Sequence, residues 1–451
     1  MCFPGNFQEY GIDYLETFAP VPSLETIRLV LSIAAQHECE ILQADVPSAF
    51  LNSDLDIDVY MELPEGLEVD GDFVCKLLKG IYGLKQASRL WYVDLRDFIV
   101  GKLGFKQYTH EPCLFSRRLQ NAFLLLLIYV DDLLLIAQCT KHLDPVIDAL
   151  KEKFRIKLLG PISLYLGMNV IQKKNIIALS QPHLIDMLVD ELNVHNIRPT
   201  SSPCNPKFKL PEENSERIDQ SRYRHFIGQL LWIARCTRPD ILFTVTMLAQ
   251  FQEDPRIEHL GGVKHLVRFL HGTAHCQLLL NRKMGPLLAA VDSSYGDALL
   301  GRYSASGVII LHNESPILFT SSKQKCVATS ACEAEYIALS DGMKKIIAIR
   351  KVYDEIIAEV GLPPQPSMKV FTDSASALQV IKKGSIYAGK LKHIDVRLTW
   401  CTELFDTKEF ELEWIKGTSN LADICTKNIQ SLPHFLTMQS ALLGNSGVEE
   451  E

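Results

Sequence analysis

The sequence predicts a multidomain protein in which an α+β part is followed by an α/β part. Its 451 residues exceed what one hydrophobic core normally holds, and this length indicates about three domains. Up to about residue 280, short apolar runs of strand length are mixed with amphipathic helices. From Pro286 onward, buried strands alternate with helices, which is typical of a mixed β/α domain.

Composition restricts the class further. With 47% hydrophobic and 22% charged residues, the chain has the composition of a globular protein. Its longest apolar run is interrupted by two acids, so no segment predicts a membrane span. The N-terminus lacks the basic and apolar regions of a secretory signal, and the twelve cysteines include no C-x-x-C pair. We therefore expect free thiols in a reducing compartment and no zinc finger.

The formal net charge of −8 bears on possible nucleic-acid partners. A chain devoted to binding nucleic acid normally carries a basic footprint, which this charge argues against. Polymerases and nucleases, however, need carboxylates for metal ions and confine their basic residues to one groove. The net charge is therefore weak evidence, and the positions of the basic residues matter more.

The first elements place an acid at the end of a strand. Residues 23–36 have the apolar spacing of a helix, for which Ser23 is a suitable N-cap. The segment EILQADVPSAFLN then predicts a strand that ends at Asp45, with Phe50 five residues later. An exposed Asp beside a core Phe is the ordinary explanation of such a pair, so this signal is weak alone.

Residues 76–105 combine basic and aromatic side chains. Lys85 and Arg89 lie close in sequence to Tyr82 and Trp91, and the second half of the segment predicts an amphipathic helix. This interleaving suits contacts with phosphates and bases. A solvated basic face over a core helix explains the pattern equally well.

The stretch that organises the chain is residues 123–137, FLLLLIYVDDLLLIA. Because unpaired carboxylates are costly to bury, we expect two core strands joined by a tight turn at Asp131–Asp132, with both acids at an exposed tip. A hairpin of this kind is suited to hold a divalent metal ion. An ordinary Asp-Asp turn is the alternative.

The C-terminal part carries four further candidate acids. Asp292 and Asp373 end predicted strands, whereas Glu333 and Asp423 lie on predicted helices, and this arrangement brings all four to one sheet edge. Glu335 competes with Glu333 for its place, because residues two apart face different sides of a helix. The chain beyond about Ile429 predicts a frayed tail.

Two ordered sets of motifs together resemble one family. QADVPSAFLN, KLLKGIYGLKQASRLWY, LLLIYVDDLLLI, YLGMNV and TRPDI closely resemble the reverse transcriptase of copia-type LTR retrotransposon polyproteins. VDSSYGD, SSKQKCVATSACEAEYIALS, VFTDSASAL, KHIDVR and LADICTK resemble the RNase H domain of the same polyproteins. The resemblance implies a right-hand polymerase palm, built as an antiparallel sheet with helices, then a helical thumb and connection, then an RNase H-like mixed α/β domain. The implied boundaries are 1–175 for partial fingers and palm, 176–280 for thumb and connection with a linker at 199–220, 281–430 for the RNase H-like domain, and 431–451 for a tail.

The resemblance also implies roles for the polymerase residues. Asp45, Asp131 and Asp132 match its metal-binding carboxylates, which would hold two Mg²⁺ or Mn²⁺ ions. Phe50 matches an aromatic residue beneath the incoming sugar that rejects a 2′-hydroxyl. The other implied substrate-binding residues are Tyr129, Lys85, Gln86 and Arg89. The implied partners are an RNA template, a DNA primer, an RNA–DNA hybrid and dNTPs, and we expect no membrane partner.

In the RNase H-like part, Asp292, Glu333, Asp373 and Asp423 match a carboxylate set that would hold two more Mg²⁺ or Mn²⁺ ions. Thr418 stands where cellular RNases H often carry a histidine, and His393 is a weak substitute for it. The implied location is intracellular, in cytoplasmic element particles, with the nucleus as a second site.

A departure from the family leaves two alternatives open. The segment upstream of GIDY, which in the family carries basic residues of the fingers, is MCFPGNFQEY here and contains no Lys or Arg. We therefore expect an N-terminally truncated element reading frame. One alternative is a polymerase-inactive remnant that only binds nucleic acid or retains RNase H activity. An unrelated metal-dependent phosphatase would explain the acids but not the YGLKQ and TRPDI segments.

Overall fold

The computed structural model describes residues 5–64, 66, 71–212, 214–281, 283–383 and 395–445. Contacts divide the chain into two compact units, whereas the sequence predicts three domains and a tail. Residues 1–23, 37–162 and 354–363 belong to the first unit, and residues 24–36, 163–353 and 364–451 belong to the second.

The described residues form strands of two to nine residues and helices of seven to thirty residues. The strands are β1 Glu40–Asp45, β2 Asp54–Glu62, β3 Val74–Lys79, β4 Lys106–Gln107, β5 Leu114–Arg118, β6 Phe123–Tyr129, β7 Asp132–Ala137, β8 Lys157–Pro161, β9 Leu164–Tyr165, β10 Met168–Lys173, β11 Ile176–Ser180, β12 Cys276–Leu280, β13 Leu288–Ser294, β14 Ala305–His312, β15 Ser315–Lys323, β16 Met368–Thr372, β17 Phe410–Trp414 and β18 Gly444–Asn445. The helices are α1 Leu24–Gln36, α2 Ala87–Gly101, α3 Asp144–Phe154, α4 Pro182–Glu191, α5 Gln220–Cys236, α6 Leu242–Leu248, α7 Ile257–Gly272, α8 Ala331–Val360, α9 Ala375–Lys383, α10 Asp395–Asp406 and α11 Leu432–Leu442. In this part of the chain, none of the helices combines the length and apolar character needed to cross a bilayer.

The first unit is built on an antiparallel sheet of order β4-β5-β6-β7-β1-β8. The apolar strands β6 and β7 lie inside this sheet, where their Leu and Ile side chains are buried. Helices α2 and α3 cover the core, and Trp91 of α2 meets Phe154 of α3 edge to face with ring centroids 5.1 Å apart. The helix–sheet architecture therefore agrees with the mixed α and β class predicted for this part of the chain.

The third segment of the first unit is anchored by specific contacts. The carboxylate of Glu355 accepts hydrogen bonds from the backbone N–H groups of Thr109 and His110 at 2.8 and 3.1 Å. Lys106 forms an ion pair with Glu359. Residues 354–363 are thus tied to a loop and strand that lie about 250 positions earlier in the chain.

The second unit contains two five-stranded sheets. One has the order β18-β12-β11-β10-β9 and its strand pairs are antiparallel. The other has the order β15-β14-β13-β16-β17, with antiparallel pairs on the β15 side and parallel pairs from β13 to β17. Because β13 is the central strand of this mixed sheet, a side chain near the end of β13 lies between the two neighbouring strands, β14 and β16.

A glycine on β14 allows a short helical turn to approach this mixed sheet closely. Gly307 pairs with Asp292 of β13, and the 3₁₀ turn Leu421–Cys425 lies over it. A Cβ atom on Gly307 would come 2.6 Å from Cγ2 of Thr426 and 2.9 Å from the carbonyl oxygen of Ala422. The absence of a side chain at this position therefore lets the turn carry Asp423 up to Asp292.

The frayed tail predicted from about Ile429 is wrong for residues 432–442, which form α11. Phe435, Met438 and Leu442 are buried at a spacing of three and four residues, as on the apolar stripe of a helix. In addition, Gln439 donates a hydrogen bond of 2.7 Å to the carboxylate of Asp240, which also forms a buried ion pair with Arg238 of the TRPDI motif. The acidic end of the chain obscured this packing signal.

We predict that Gly307→Ala destabilises the protein by about 1–3 kcal/mol, because the added methyl group must displace the turn that holds Thr426. Urea denaturation followed by circular dichroism would measure the change. Gly261→Ala is the matched control, since a Cβ at this position on α7 meets nothing within 4 Å, and it should stabilise the protein by about 0.5–1 kcal/mol. Equal stability of Gly307→Ala and the wild-type protein would contradict the close-approach interpretation.

Candidate metal centres

The first candidate centre, here called the first cluster, consists of Asp45, Asp131 and Asp132. Strands β1 and β7 pair antiparallel in a register that places Asp45 directly opposite Asp132. The backbone N–H of Val46 donates to the carbonyl of Asp131 at 2.9 Å, which fixes the hairpin tip beside the end of β1. The structure therefore brings Asp45 beside a pair of acids that lie more than 80 positions later in the chain.

The hairpin differs from its prediction in where it turns. The two-residue connection is Val130–Asp131, and Asp132 is already the first residue of β7, paired with Tyr129. Val130 has a φ of +57°, a left-handed conformation that is strained for a β-branched residue. Trp91 supports this turn by donating its indole N–H to the carbonyl of Val130 at 2.7 Å. Both acids are half-buried rather than exposed.

Burial and mutual repulsion shape the electrostatics of the first cluster. Burial raises the pKa of Asp45, the charge of Asp131 raises it further, and Lys157 opposes the shift. Burial also raises the pKa of Asp132, against a hydrogen bond of 3.3 Å from Gln43. The pKa of Tyr82 is raised by burial and by the charges of Asp131 and Asp45. A divalent cation would relieve the repulsion among these carboxylates.

The predicted substrate-binding residues fall into two groups. Tyr129 is half-buried and pairs with Asp132 in the hairpin, so it lies beside the first cluster. Phe50 is 8% exposed and packs, with ring centroids 4.5 Å apart, on Tyr82, whose hydroxyl is influenced by the charges of Asp131 and Asp45. Lys85, Gln86 and Arg89 form the second group.

These three residues hold an N-terminal segment of the chain. The ammonium group of Lys85 donates to the backbone carbonyl of Gln8 at 3.1 Å and to the hydroxyl of Tyr14 at 3.2 Å. The Gln86 amide, which is 1% exposed, donates to the carbonyl of Asp13 and accepts from Gln8. Arg89 forms an ion pair with Glu16. No pattern in the sequence indicated that residues 8–16 would be their partners.

The second candidate centre, here called the second cluster, lies at the edge of the mixed sheet. Asp292 stands near the end of β13, Glu335 in the first turns of α8, and Asp373 directly after β16. One carboxylate oxygen from each of these three lies within 4.8 Å of the other two, and no other such trio of ligands occurs in the part of the chain that the structure describes. Asp423 of the 3₁₀ turn is the fourth acid of the cluster; it lies outside this trio and interacts electrostatically with Asp292 and Asp373.

The second cluster is more deeply buried than the first. Burial raises the pKa of Asp292 well above its usual range, and the charges of Asp423 and Glu335 add to the shift. Burial and the charge of Asp373 raise the pKa of Glu335 from its ordinary 4.5 to about 7. The pKa of Asp373 is raised by burial and by Asp423. These shifts are typical of carboxylates that share one site.

The donor set of the second cluster fits a hard divalent cation. Carboxylate oxygens are the ligands that Mg²⁺ and Mn²⁺ prefer. Among the described residues, Oε2 of Glu335 is buried without a hydrogen-bond partner, so an oxygen lone pair remains for a ligand. The side chain of Asp292 is buried and accepts a hydrogen bond from the hydroxyl of Thr426, which fixes its orientation.

The prediction that Glu333 joins the second cluster is wrong, because Glu335 occupies that place. Glu333 is turned back on the start of α8, where its carboxylate accepts from the backbone N–H of Thr329 at 2.7 Å and from the Thr329 hydroxyl. The Ser330 hydroxyl accepts from the N–H of Glu333 at 3.2 Å. Together they form a variant of the capping box, whose sequence signature, a Ser followed three residues later by a Glu, was present at Ser330–Glu333.

Two residues beside the second cluster, Lys427 and Gly417, were not predicted. Lys427 has its ammonium nitrogen 2.8 Å from Oδ1 of Asp423 and 3.8 Å from Oδ2 of Asp292. Its position four residues after Asp423 was the available signal. Gly417 approaches so closely that a Cβ there would be 2.9 Å from Oδ2 of Asp373. His393 lies outside the described residues.

Comparisons with known proteins identify similar sequences. Residues 2–206 match the family model described as reverse transcriptase (RNA-dependent DNA polymerase). The chain is 35% identical over 435 residues to the retrovirus-related Pol polyprotein from transposon TNT 1-94 of Nicotiana tabacum, covering 94% of this chain and 32% of that relative. It is 33% identical over 310 residues to the putative transposon Ty5-1 protein of Saccharomyces cerevisiae, covering 67% of this chain and 100% of that relative. The chain spans about a third of the length of the longer relatives it matches.

A solved structure also shows a weak likeness. The foamy viral protease–reverse transcriptase in complex with double-stranded DNA aligns with a TM-score of 0.46 and 13% identity, covering 84% of this chain and 57% of that chain. This similarity is too low to carry an inference.

We predict that Glu335→Gln weakens Mn²⁺ binding by the second cluster roughly tenfold to a hundredfold, because the substitution removes the negative charge of one ligand carboxylate. Glu333→Gln is the matched control: it should leave the Mn²⁺ affinity unchanged and lower the free energy of unfolding by less than about 1 kcal/mol, because the Gln amide oxygen still accepts from Thr329 and only the charge at the helix start is lost. Calorimetric titration with Mn²⁺ and urea denaturation would measure the two effects. Weaker Mn²⁺ binding by Glu333→Gln, together with unchanged binding by Glu335→Gln, would instead identify Glu333 as the ligand.

The raised pKa of Glu335 predicts a pH dependence of stability in metal-free protein. The folded protein holds this proton more tightly than the unfolded chain, so the free energy of unfolding falls as the pH rises from about 4.5 to 7. Glu335→Gln removes this contribution and should flatten that part of the profile. Urea denaturation at a series of pH values would measure both slopes, and identical slopes would contradict the prediction.

Proposed function

This chain belongs to the family of copia-type retrotransposon Pol polyproteins, and on that premise we propose that it carries two activities. The first cluster would catalyse RNA- and DNA-directed DNA polymerisation, and the second would cleave the RNA strand of RNA–DNA hybrids. The observation that best supports two activities is the presence of two separate carboxylate clusters, each assembled from distant parts of the chain.

The first cluster supports nucleotidyl transfer. In this reaction the primer 3′-hydroxyl attacks the α-phosphorus of a dNTP and pyrophosphate leaves. Asp45, Asp131 and Asp132 would hold two Mg²⁺ ions at the edge formed by β1 and β7, and all three lie within the segment that matches the reverse transcriptase model. We propose that Phe50, held by its packing on Tyr82, contacts the sugar of the incoming nucleotide.

The second cluster supports phosphodiester hydrolysis, in which water attacks the scissile phosphate of the RNA strand. Asp292, Glu335, Asp373 and Asp423 would hold the ions, and the hydroxyl of Thr426 would keep Asp292 oriented. Divalent ions bound at either cluster would lower the pKa of the attacking hydroxyl or water and neutralise charge on the leaving oxygen. The proposed partners are accordingly an RNA template, a DNA primer, dNTPs and an RNA–DNA hybrid.

A second candidate function is hybrid cleavage without polymerisation. It is favoured by the contacts of Lys85, Gln86 and Arg89, whose polar groups are engaged by residues 8–16 rather than directed to a substrate. It is also favoured by the second cluster, in which oxygens of three carboxylates lie within 4.8 Å of one another. The two candidates differ only in whether the chain extends a primer.

Reciprocal variants of the full chain test the assignment of each cluster. We expect Asp131→Asn to lower extension of a DNA primer on a homopolymer RNA template by about a hundredfold or more while cleavage of a labelled hybrid persists. Asp373→Asn should lower hybrid cleavage by a similar factor while extension persists. Each variant removes one carboxylate charge from one cluster and leaves the other cluster intact.

Asp94→Asn, on the exposed face of α2, is the charge-matched control and should retain both activities. Extension by Asp131→Asn at the wild-type rate would refute the polymerase site, and unimpaired cleavage by Asp373→Asn would refute the RNase H site. Wild-type protein that cleaves a hybrid but extends no primer would select the second candidate.

A further inference from the structure

Lys427 occupies an unusual position, because its cationic side chain lies among the acids of the second cluster. The residue follows the 3₁₀ turn Leu421–Cys425, and its backbone N–H donates to the carbonyl of Asp423 at 3.2 Å. This turn directs the side chain back toward the cluster, where its ammonium nitrogen lies 2.8 Å from Oδ1 of Asp423 and 3.8 Å from Oδ2 of Asp292.

The charge of Lys427 acts on the whole cluster. It lowers the pKa values of Asp292, Glu335 and Asp373, in each case against the effect of burial. Its partners are much less accessible than Lys427 itself: the side chains of Asp292 and Asp423 are 1% and 7% exposed, whereas that of Lys427 is 42% exposed. A flexible, half-exposed cation therefore reaches into a site of buried anions.

The position has a consequence for metal binding. Buried carboxylates of like charge require a nearby cation, and either an ammonium group or a divalent ion meets that requirement. An ion bound by the oxygens of Asp292, Glu335 and Asp373 would repel the ammonium group, because two cations would then share the same few ångströms of poorly screened space. The four-carbon stem of Lys427 gives the ammonium group a route to solvent.

We propose that Lys427 is a positioning residue that stands in for the divalent cation in the metal-free protein and competes with that cation for Asp292 and Asp423. This inference rests on the proposed function of the second cluster as a metal-dependent nuclease site. It assigns to Lys427 two opposite effects: the residue stabilises the metal-free fold and weakens metal binding. A residue that only braced Asp423 as a ligand would strengthen metal binding instead.

Titration of the full chain with Mn²⁺ separates these roles. The variants are made in an Asp131→Asn background, so that the first cluster contributes little to binding. We expect Lys427→Met to lower the melting temperature of the metal-free protein and to tighten the Mn²⁺ dissociation constant roughly fivefold. Lys427→Arg, which keeps the charge, should restore the parental affinity. Lys351→Met removes an equal charge from the exposed face of α8 and should change neither quantity.

The dissociation constant is obtained from the concentration of free Mn²⁺ measured by electron paramagnetic resonance. The melting temperature is measured by circular dichroism. If Lys427→Met is too unstable to purify, Lys427→Gln serves with the same expectations. An unchanged or weakened Mn²⁺ affinity in the charge-removing variant would overturn the inference. Because metal binding is measured without substrate, this failure is distinguishable from failure of the proposed nuclease function, which is decided by hybrid cleavage in Asp373→Asn.

Discussion

The burial of carboxylates of like charge is the constraint on which both candidate centres depend. Each acid that is taken out of water loses solvation, and each neighbouring acid adds repulsion. The raised pKa values of Asp45, Asp132, Asp292 and Asp373 express this cost directly. A fold that keeps such groups together must hold them rigidly and supply a cation, and the surrounding structure is arranged to do both.

Rigidity comes from strand register and from close backbone approach. In the first unit, the antiparallel ladder between β1 and β7 pairs Asp45 with Asp132, and a one-residue slip would move these two acids out of register. In the second unit, Gly307 and Gly417 leave space beside Asp292 and Asp373 that a side chain would fill. The backbone positions of the acids are therefore set by packing and strand pairing, and hydrogen bonds such as that from Thr426 to Asp292 then orient the carboxylates.

Much of this arrangement could be predicted from the sequence because acids that end apolar runs are conspicuous. Asp45, Asp131, Asp132, Asp292 and Asp373 all stand at or beside the end of a strand, as their patterns indicate. Glu335 was harder to predict, because Glu333 lies only two residues away on the same helix. Which of the two faces the cluster depends on where the helix begins, and the contacts of Ser330 and Thr329 set that start. Lys427 was indicated only by its position four residues after Asp423, and the contacts of residues 8–16 with Lys85 and Gln86 depend on tertiary packing that leaves no local pattern.

The discontinuity of the first unit has a consequence for how the protein is made. Residues 354–363 supply carboxylates to the backbone of Thr109 and His110, although most of the second unit lies between them in the chain. Domains usually fold in the order in which they leave the ribosome. Here the N-terminal sheet cannot receive its last partners until synthesis has passed residue 363, so the unit that begins first is completed late. A nascent chain that stalls before this point would present the sheet to chaperones and proteases without the contacts that Glu355 and Glu359 supply.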